Sequence, residues 1–117
     1  MTYLKFYQKE NDAFKTEYNI HLEDKQAIKI AKKISRHFKF TVNEIKIYGK
    51  KSHGYAWFRL NKIKIPHNTS LSLLIHELAH LYEYQKHNNE RHNKQLMKTI
   101  QKFIKYCRKK NYWLLEG

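Results

Sequence analysis

Apolar positions recur with a helical period over residues 22–38. Ala27, Ile30, Ala31, Ile34 and Phe38 fall at i, i+3, i+4, i+7 and i+11, while Lys29, Lys32, Lys33 and Arg36 fall on the other side. The spacing predicts an amphipathic helix, capped by Asp24 or a residue just before it. Between residues 41 and 65 the period changes to two. Ile45 and Ile47 alternate with Glu44, Lys46 and Tyr48, and Ile63 and Ile65 alternate with Lys62 and Lys64. A basic turn, KKSH between Gly49 and Gly54, separates the first run from YAWFRL, residues 55–60, which reads as a second extended run. Asn61-Lys62 suits a turn, and Pro66 ends the third strand.

Asn68, Thr69 and Ser70 offer helix N-caps ahead of residues 70–87, which are apolar nearly all round. A last helix is expected over residues 91–110, with Leu96, Ile100, Phe103, Ile104 and Cys107 as its apolar stripe. Residues 1–20 fit two patterns. Leu4 and Phe6 flank Lys5 as in a strand, whereas Phe14 and Tyr18 are four apart as in a helix. The expected class is α+β. A small sheet of about three strands carries a backing helix, a buried second helix and a C-terminal helix. At 117 residues the chain is one domain, residues 1–117.

The buried helix carries the chemistry, in the stretch SLSLLIHELAHLYEY. His76 and His80 are four apart and project from one face. Two imidazoles so placed can reach one zinc ion at about 2.0–2.1 Å each. Glu77 lies off that face, but its carboxylate can reach water beside the metal, the general-base arrangement of HExxH peptidases. Leu73, Leu74, Ile75, Leu78, Ala79 and Leu81 surround the motif, and two His and a Glu in such a setting are costly without a partner. The alternative is a pair of core histidines satisfied by hydrogen bonds, with Glu77 in an ion pair.

A catalytic zinc needs a third protein ligand and an open position. Glu83, His87, Glu90, His92 and Glu116 follow the motif. Along a continuous helix His87 lies about 10 Å past His80, too far for the same ion, and Glu83 points away. His92 extends the stripe of Leu96 and Ile100, so a turn at Asn88-Asn89 would bring it back to the metal, with Glu90 as its rival.

HELAH after three strands, with a His on the next helix, resembles the minigluzincins, small zincin peptidases, over roughly residues 22–110. The chain is also similar to SprT-like zincin domains, although Asn93 stands where those often have Gly after the later His. The resemblance implies a zincin-like fold with zinc held by His76, His80 and His92, and peptide hydrolysis with Glu77 as base. It also implies latency through a C-terminal segment. His53, Tyr55 and Tyr82 are candidates to steady the developing oxyanion. A substrate peptide is expected along the sheet edge formed by residues 55–60, beside Tyr55 and Trp57.

Charge changes the picture less. The net charge of +14 suits nucleic acid, an anionic membrane or an acidic protein, and an SprT-like reading would have the enzyme act on DNA-associated proteins. Tyr55, Trp57 and Phe58 beside Lys50, Lys51 and Arg59 could serve as a stacking platform. The lysines are nevertheless spread along the chain, as on a solvated surface. No apolar run reaches the length of about 18 residues that spans a membrane, and the first residues lack the apolar core of a signal peptide. A cytoplasmic protein is expected. Cys107, the single cysteine, reads as a buried structural thiol. Tyr112, Trp113, Leu114 and Leu115 are four bulky residues near the chain end. They should pack on the core, or in the active-site cleft of the same or a partner chain, the last giving a swapped homodimer. A non-catalytic zinc module is the remaining alternative.

Overall fold

A computed structural model describes residues 3–50 and 53–112. The chain folds as α+β, with a small mixed sheet and several helices. The amphipathic stripe predicted over residues 22–38 becomes helix α3, Asp24–Phe38, with Ala27, Ile30, Ala31 and Ile34 buried. Its start is held by the Glu23 amide donating to Gln26 Oε1 at 2.9 Å, and it ends at Lys39 in left-handed geometry (φ 58°).

The period-two segment forms strands β1 (Glu44–Ile47), β2 (Tyr55–Trp57) and β3 (Lys62–Ile65) in the order β1-β3-β2. β1 runs parallel to β3 and β2 antiparallel to it. The register puts Ile45 beside Ile63, Ile47 beside Ile65 and Ala56 beside Ile63. One face is therefore apolar and turned to the core, where Ile63 and Ile65 are fully buried. Withdrawing each such side chain from water contributes about 1.5–3 kcal/mol. The other face carries Glu44, Lys62 and Trp57. Lys62 pairs with Glu44 at 3.1 Å and lies 5.0 Å from the Trp57 ring centroid. The extended run expected over residues 55–60 is only half right. β2 stops at Trp57, and Phe58–Leu60 turn into a short 3-10 helix that closes on Asn61 at φ 51°. The aromatic content of YAWFRL favours a strand locally. The chain must instead reverse at once for β3 to pair with β2, and Asn61 accepts the left-handed geometry that requires.

Helix α4, Leu71–His87, is the central element. It packs against α3, the sheet and helix α5, Lys94–Lys110. Ser70 caps it, its hydroxyl accepting from the Leu73 amide at 3.1 Å. The Leu22 amide donates to Thr69 at 2.8 Å and the Leu71 amide to Ile20 at 2.8 Å, so the lead-in to α3 is clipped to the start of α4. Residues 1–20, which the pattern left open, are helical from Tyr3. α1 spans Tyr3–Ala13 and α2 spans Lys15–Tyr18. Phe6 and Phe14 are buried. Glu17, with no exposed surface, receives two hydrogen bonds from Arg108 at 2.7 and 2.8 Å, which ties α2 to the end of α5.

Cys107 is buried as expected, and burial pushes its thiol up to about 12. Of the apolar tail only Tyr112 is described. Its hydroxyl shares a hydrogen bond with that of Tyr106 at 2.7 Å, and its ring lies 5.5 Å from Lys33 Nζ. Trp113, Leu114 and Leu115, on which the inhibitory or swapped tail was expected to rest, lie outside the described residues. No helix among the described residues is long and apolar enough to cross a membrane.

Candidate metal centre

The spacing of His76 and His80 on α4 sets both imidazoles on one side of the helix, and their Nε2 atoms stand 3.2 Å apart. His92 completes a triangle. Its Nε2 lies 3.3 Å from that of His76 and 3.1 Å from that of His80. Among the described residues these three form a cluster close enough to hold a metal ion. A tetrahedral ion bound at about 2.0–2.1 Å separates its ligand atoms by about 3.3–3.4 Å, so the triangle has the size a metal ion requires.

His92 does not sit on the next helix, as its place in the apolar stripe suggested. It lies one residue before the N-cap of α5, in the turn that follows Asn88 (φ 51°). Side-chain amides knit this turn. Asn89 donates to Glu83 Oε1 at 2.9 Å and to Asn93 Oδ1 at 3.1 Å, and Asn93 donates back to Asn89 Oδ1 at 3.0 Å. The Arg91 amide bonds Asn89 Oδ1 at 3.1 Å and the Leu96 amide bonds Asn93 Oδ1 at 3.1 Å. Glu83 is the anchor. It is fully buried and accepts from Thr99 of α5 at 2.7 Å. Glu83 thus aims the turn that presents His92. His87 is largely exposed and lies 3.7 Å from Glu83, Glu90 is exposed, and Glu116 lies outside the described residues.

Three features of the centre come from residues that periodicity did not single out. The first is Glu10 of α1, only 5 % exposed, whose Oε2 accepts from His76 Nδ1 at 2.8 Å. A carboxylate at Nδ1 fixes the proton there and leaves the Nε2 lone pair for a metal. A signal was present in the sequence. Phe6, Glu10 and Phe14 are spaced by four, which puts a carboxylate on the apolar stripe of a helix. The second is Tyr7. Its ring stacks on His76 at 5.1 Å and 17°, and its hydroxyl lies 3.4 Å from His76 Nε2. Phe6 closes the same side, edge-on to His76 at 5.9 Å and to His92 at 5.2 Å.

The third is Gly54, which precedes β2. A Cβ placed there would stand 2.6 Å from Glu77 Oε2 and 2.8 Å from Glu77 Cγ. The missing side chain is what lets the backbone lie against the carboxylate. Gly54→Ala is therefore expected to turn the Glu77 carboxylate aside. Any turnover that depends on the Glu77 carboxylate should fall by up to about 100-fold with metal uptake unchanged, because small misplacements of a catalytic group cost on that scale. Metal analysis alongside a peptide assay checks this, and full turnover in the variant would count against Gly54 as the support of Glu77.

Electrostatics fit the same arrangement. Burial, with the charges of His76 and His92 beside it, holds His80 well below the usual histidine range. Burial and His76 hold His92 down at about 4. Both rings are thus kept neutral, the form that binds metal. His76 differs. Burial opposes its charge, but the hydrogen bond and charge of Glu10, with the charge of Glu77, outweigh burial and raise it. Burial raises Glu77 to about 7, against the pull of His76. A carboxyl group near 7 is matched to proton transfer in neutral solution. Among the described residues His80 Nδ1 is a buried nitrogen without a hydrogen-bond partner.

The other sequence candidates lie elsewhere. Tyr55 is exposed and stands 5.0 Å from Trp57, on the face of β2 opposite the buried Ala56. Tyr82 packs against Phe40 and Phe103, on the side of α4 that meets α3 and α5. His53 is exposed. Scans against protein-family models, curated proteins and solved structures gave no match, so the centre is read from its own geometry.

Proposed function

We propose that the chain is a zinc-dependent endopeptidase with a zincin-like fold. The observation that carries this reading is the Nε2 triangle of His76, His80 and His92, with edges of 3.1–3.3 Å. It is joined on the same helix by the buried carboxyl of Glu77. Three imidazoles with a carboxylate behind one of them suit zinc over harder cations, which prefer oxygen. When bound, zinc supplies Lewis-acid chemistry, lowering the pKa of water toward neutrality and polarising a carbonyl.

The chain supplies the rest. Glu77 takes a proton from the attacking water and delivers it to the leaving amine, a transfer suited to a group near 7. Gly54 keeps the Glu77 carboxylate in place. Glu10 orients His76 through Nδ1. β2 is an edge strand, and its free side offers backbone groups on which an extended peptide can pair.

The purified chain should carry about one zinc per molecule. Hydrolysis of a casein-type substrate should stop on chelation and return when zinc is restored. A chain that takes up no zinc would overturn the proposal.

A further inference from the structure

We propose that Tyr7 is the fourth ligand of the resting metal centre and that its phenol gates the open position. The inference rests on the metal-centre reading above and adds to it how the open position is controlled. The phenol oxygen of Tyr7 lies 3.4 Å from His76 Nε2. That is the edge length of a tetrahedron whose bonds are about 2.0–2.1 Å. The three histidines already span such edges among themselves, at 3.1–3.3 Å. The oxygen therefore stands at the distance from His76 that a fourth vertex would have.

The ring is held to this position. It lies nearly parallel to His76 at 5.1 Å and 5.5 Å from His92, and the adjacent Phe6 meets its ring edge-on at 6.2 Å. Other tyrosines on α4 are committed elsewhere, Tyr82 to Phe40 and Tyr84 to Phe58. On coordination the phenol gives its proton to solvent and its oxygen donates a lone pair to the metal.

α1 also covers the centre. His76 is 1 % exposed and Glu77 and His80 are each 5 % exposed, while His92 is half-buried. The inner face of α1, Phe6, Tyr7 and Glu10, meets the histidines, while Lys5, Gln8, Lys9 and Asp12 face outward. A substrate carbonyl must displace the phenol to take the fourth position, while Glu10 of the same helix stays on His76.

The test uses the full chain loaded with Cu(II), since a phenol oxygen on copper gives a visible charge-transfer band that histidine ligands do not. The band should be present in the wild type and in Tyr48→Phe, an exposed tyrosine just past the end of β1, and absent in Tyr7→Phe. The weaker copper absorption of the histidine centre should remain in all three. In the zinc form, Tyr7→Phe should cleave a peptide about tenfold faster, the gain expected if the open form is about a tenth of the population. Copper-loaded wild type without the band, or a band that survives in Tyr7→Phe, overturns Tyr7 as a ligand even if the enzyme proves active. A Tyr7→Phe rate no higher than wild type overturns the gate. Failure to take up copper at all overturns the metal centre and this inference with it.

Discussion

Glu77→Gln is expected to remove peptide turnover and leave both the metal and the fold intact. The amide has the shape of the carboxyl group but no basic oxygen to take a proton from water. General-base catalysis by a placed side chain contributes about 10²–10⁴-fold, so the rate should drop by that much. The ligands His76, His80 and His92 are untouched, and metal content should stay at the wild-type level. Stability should hold or rise. Glu77 is 5 % exposed and burial raises it to about 7, which means the charged form is disfavoured where it lies. A neutral amide removes that cost. The check is a peptide assay, a metal analysis and a melting curve on the same preparation, with Tyr7→Phe as background so that a covered centre is not mistaken for a missing base. A Glu77→Gln variant as active as its background would rule out Glu77 as the base.

The elements that bury a continuous stripe were legible in the sequence, and so was the part of the centre that lies on one of them. α3 begins two residues inside its expected span, α4 one, and α5 three. His76, Glu77 and His80 were readable because a helix fixes the relation of residues four apart whatever surrounds it. His92 was placed by the idea that it continues the stripe of α5. It meets His76 and His80 for another reason, a turn held by Asn89, Asn93 and the buried Glu83. The two routes reach the same residue, because either geometry folds the chain back onto α4.

What the sequence hid has a common cause. Tyr7, Glu10 and Gly54 act through partners 69, 66 and 23 residues away along the chain. Periodicity reports which side of an element is buried. It does not report what that side meets. Over residues 1–20 even the period is ambiguous, because the inner face of α1 includes a tyrosine and a carboxylate. Gly54 reads as one end of a basic turn, and its reason is a carboxyl group on another element. The 3-10 turn at Phe58–Leu60 was lost in the same way, to a strand-like local composition overruled by the pairing of β2 with β3.

His92→Ala should cost the chain most of its metal affinity, although the residue lies outside the HExxH motif. Two imidazoles remain, and a site reduced to two protein ligands binds far more weakly than one with three. Loss of half or more of the bound zinc after dialysis against a weak chelator is the expected result, and His76→Ala or His80→Ala should lose it entirely. His87→Ala is the internal control. It is a histidine of the same helix, 47 % exposed in its side chain and 3.7 Å from Glu83, and removing it should leave metal content unchanged. Glu83→Ala tests the same geometry from behind. It leaves every ligand in place but takes away the acceptor of Asn89 and Thr99, so the turn carrying His92 loses its anchor. Zinc should then be held less tightly in a protein that also melts earlier, since breaking a buried charge-assisted pair of hydrogen bonds costs about 1.5–3 kcal/mol for each bond. If His87→Ala strips the metal while His92→Ala retains it, the triangle is not the metal centre, and the third ligand must be sought on the other side of α4.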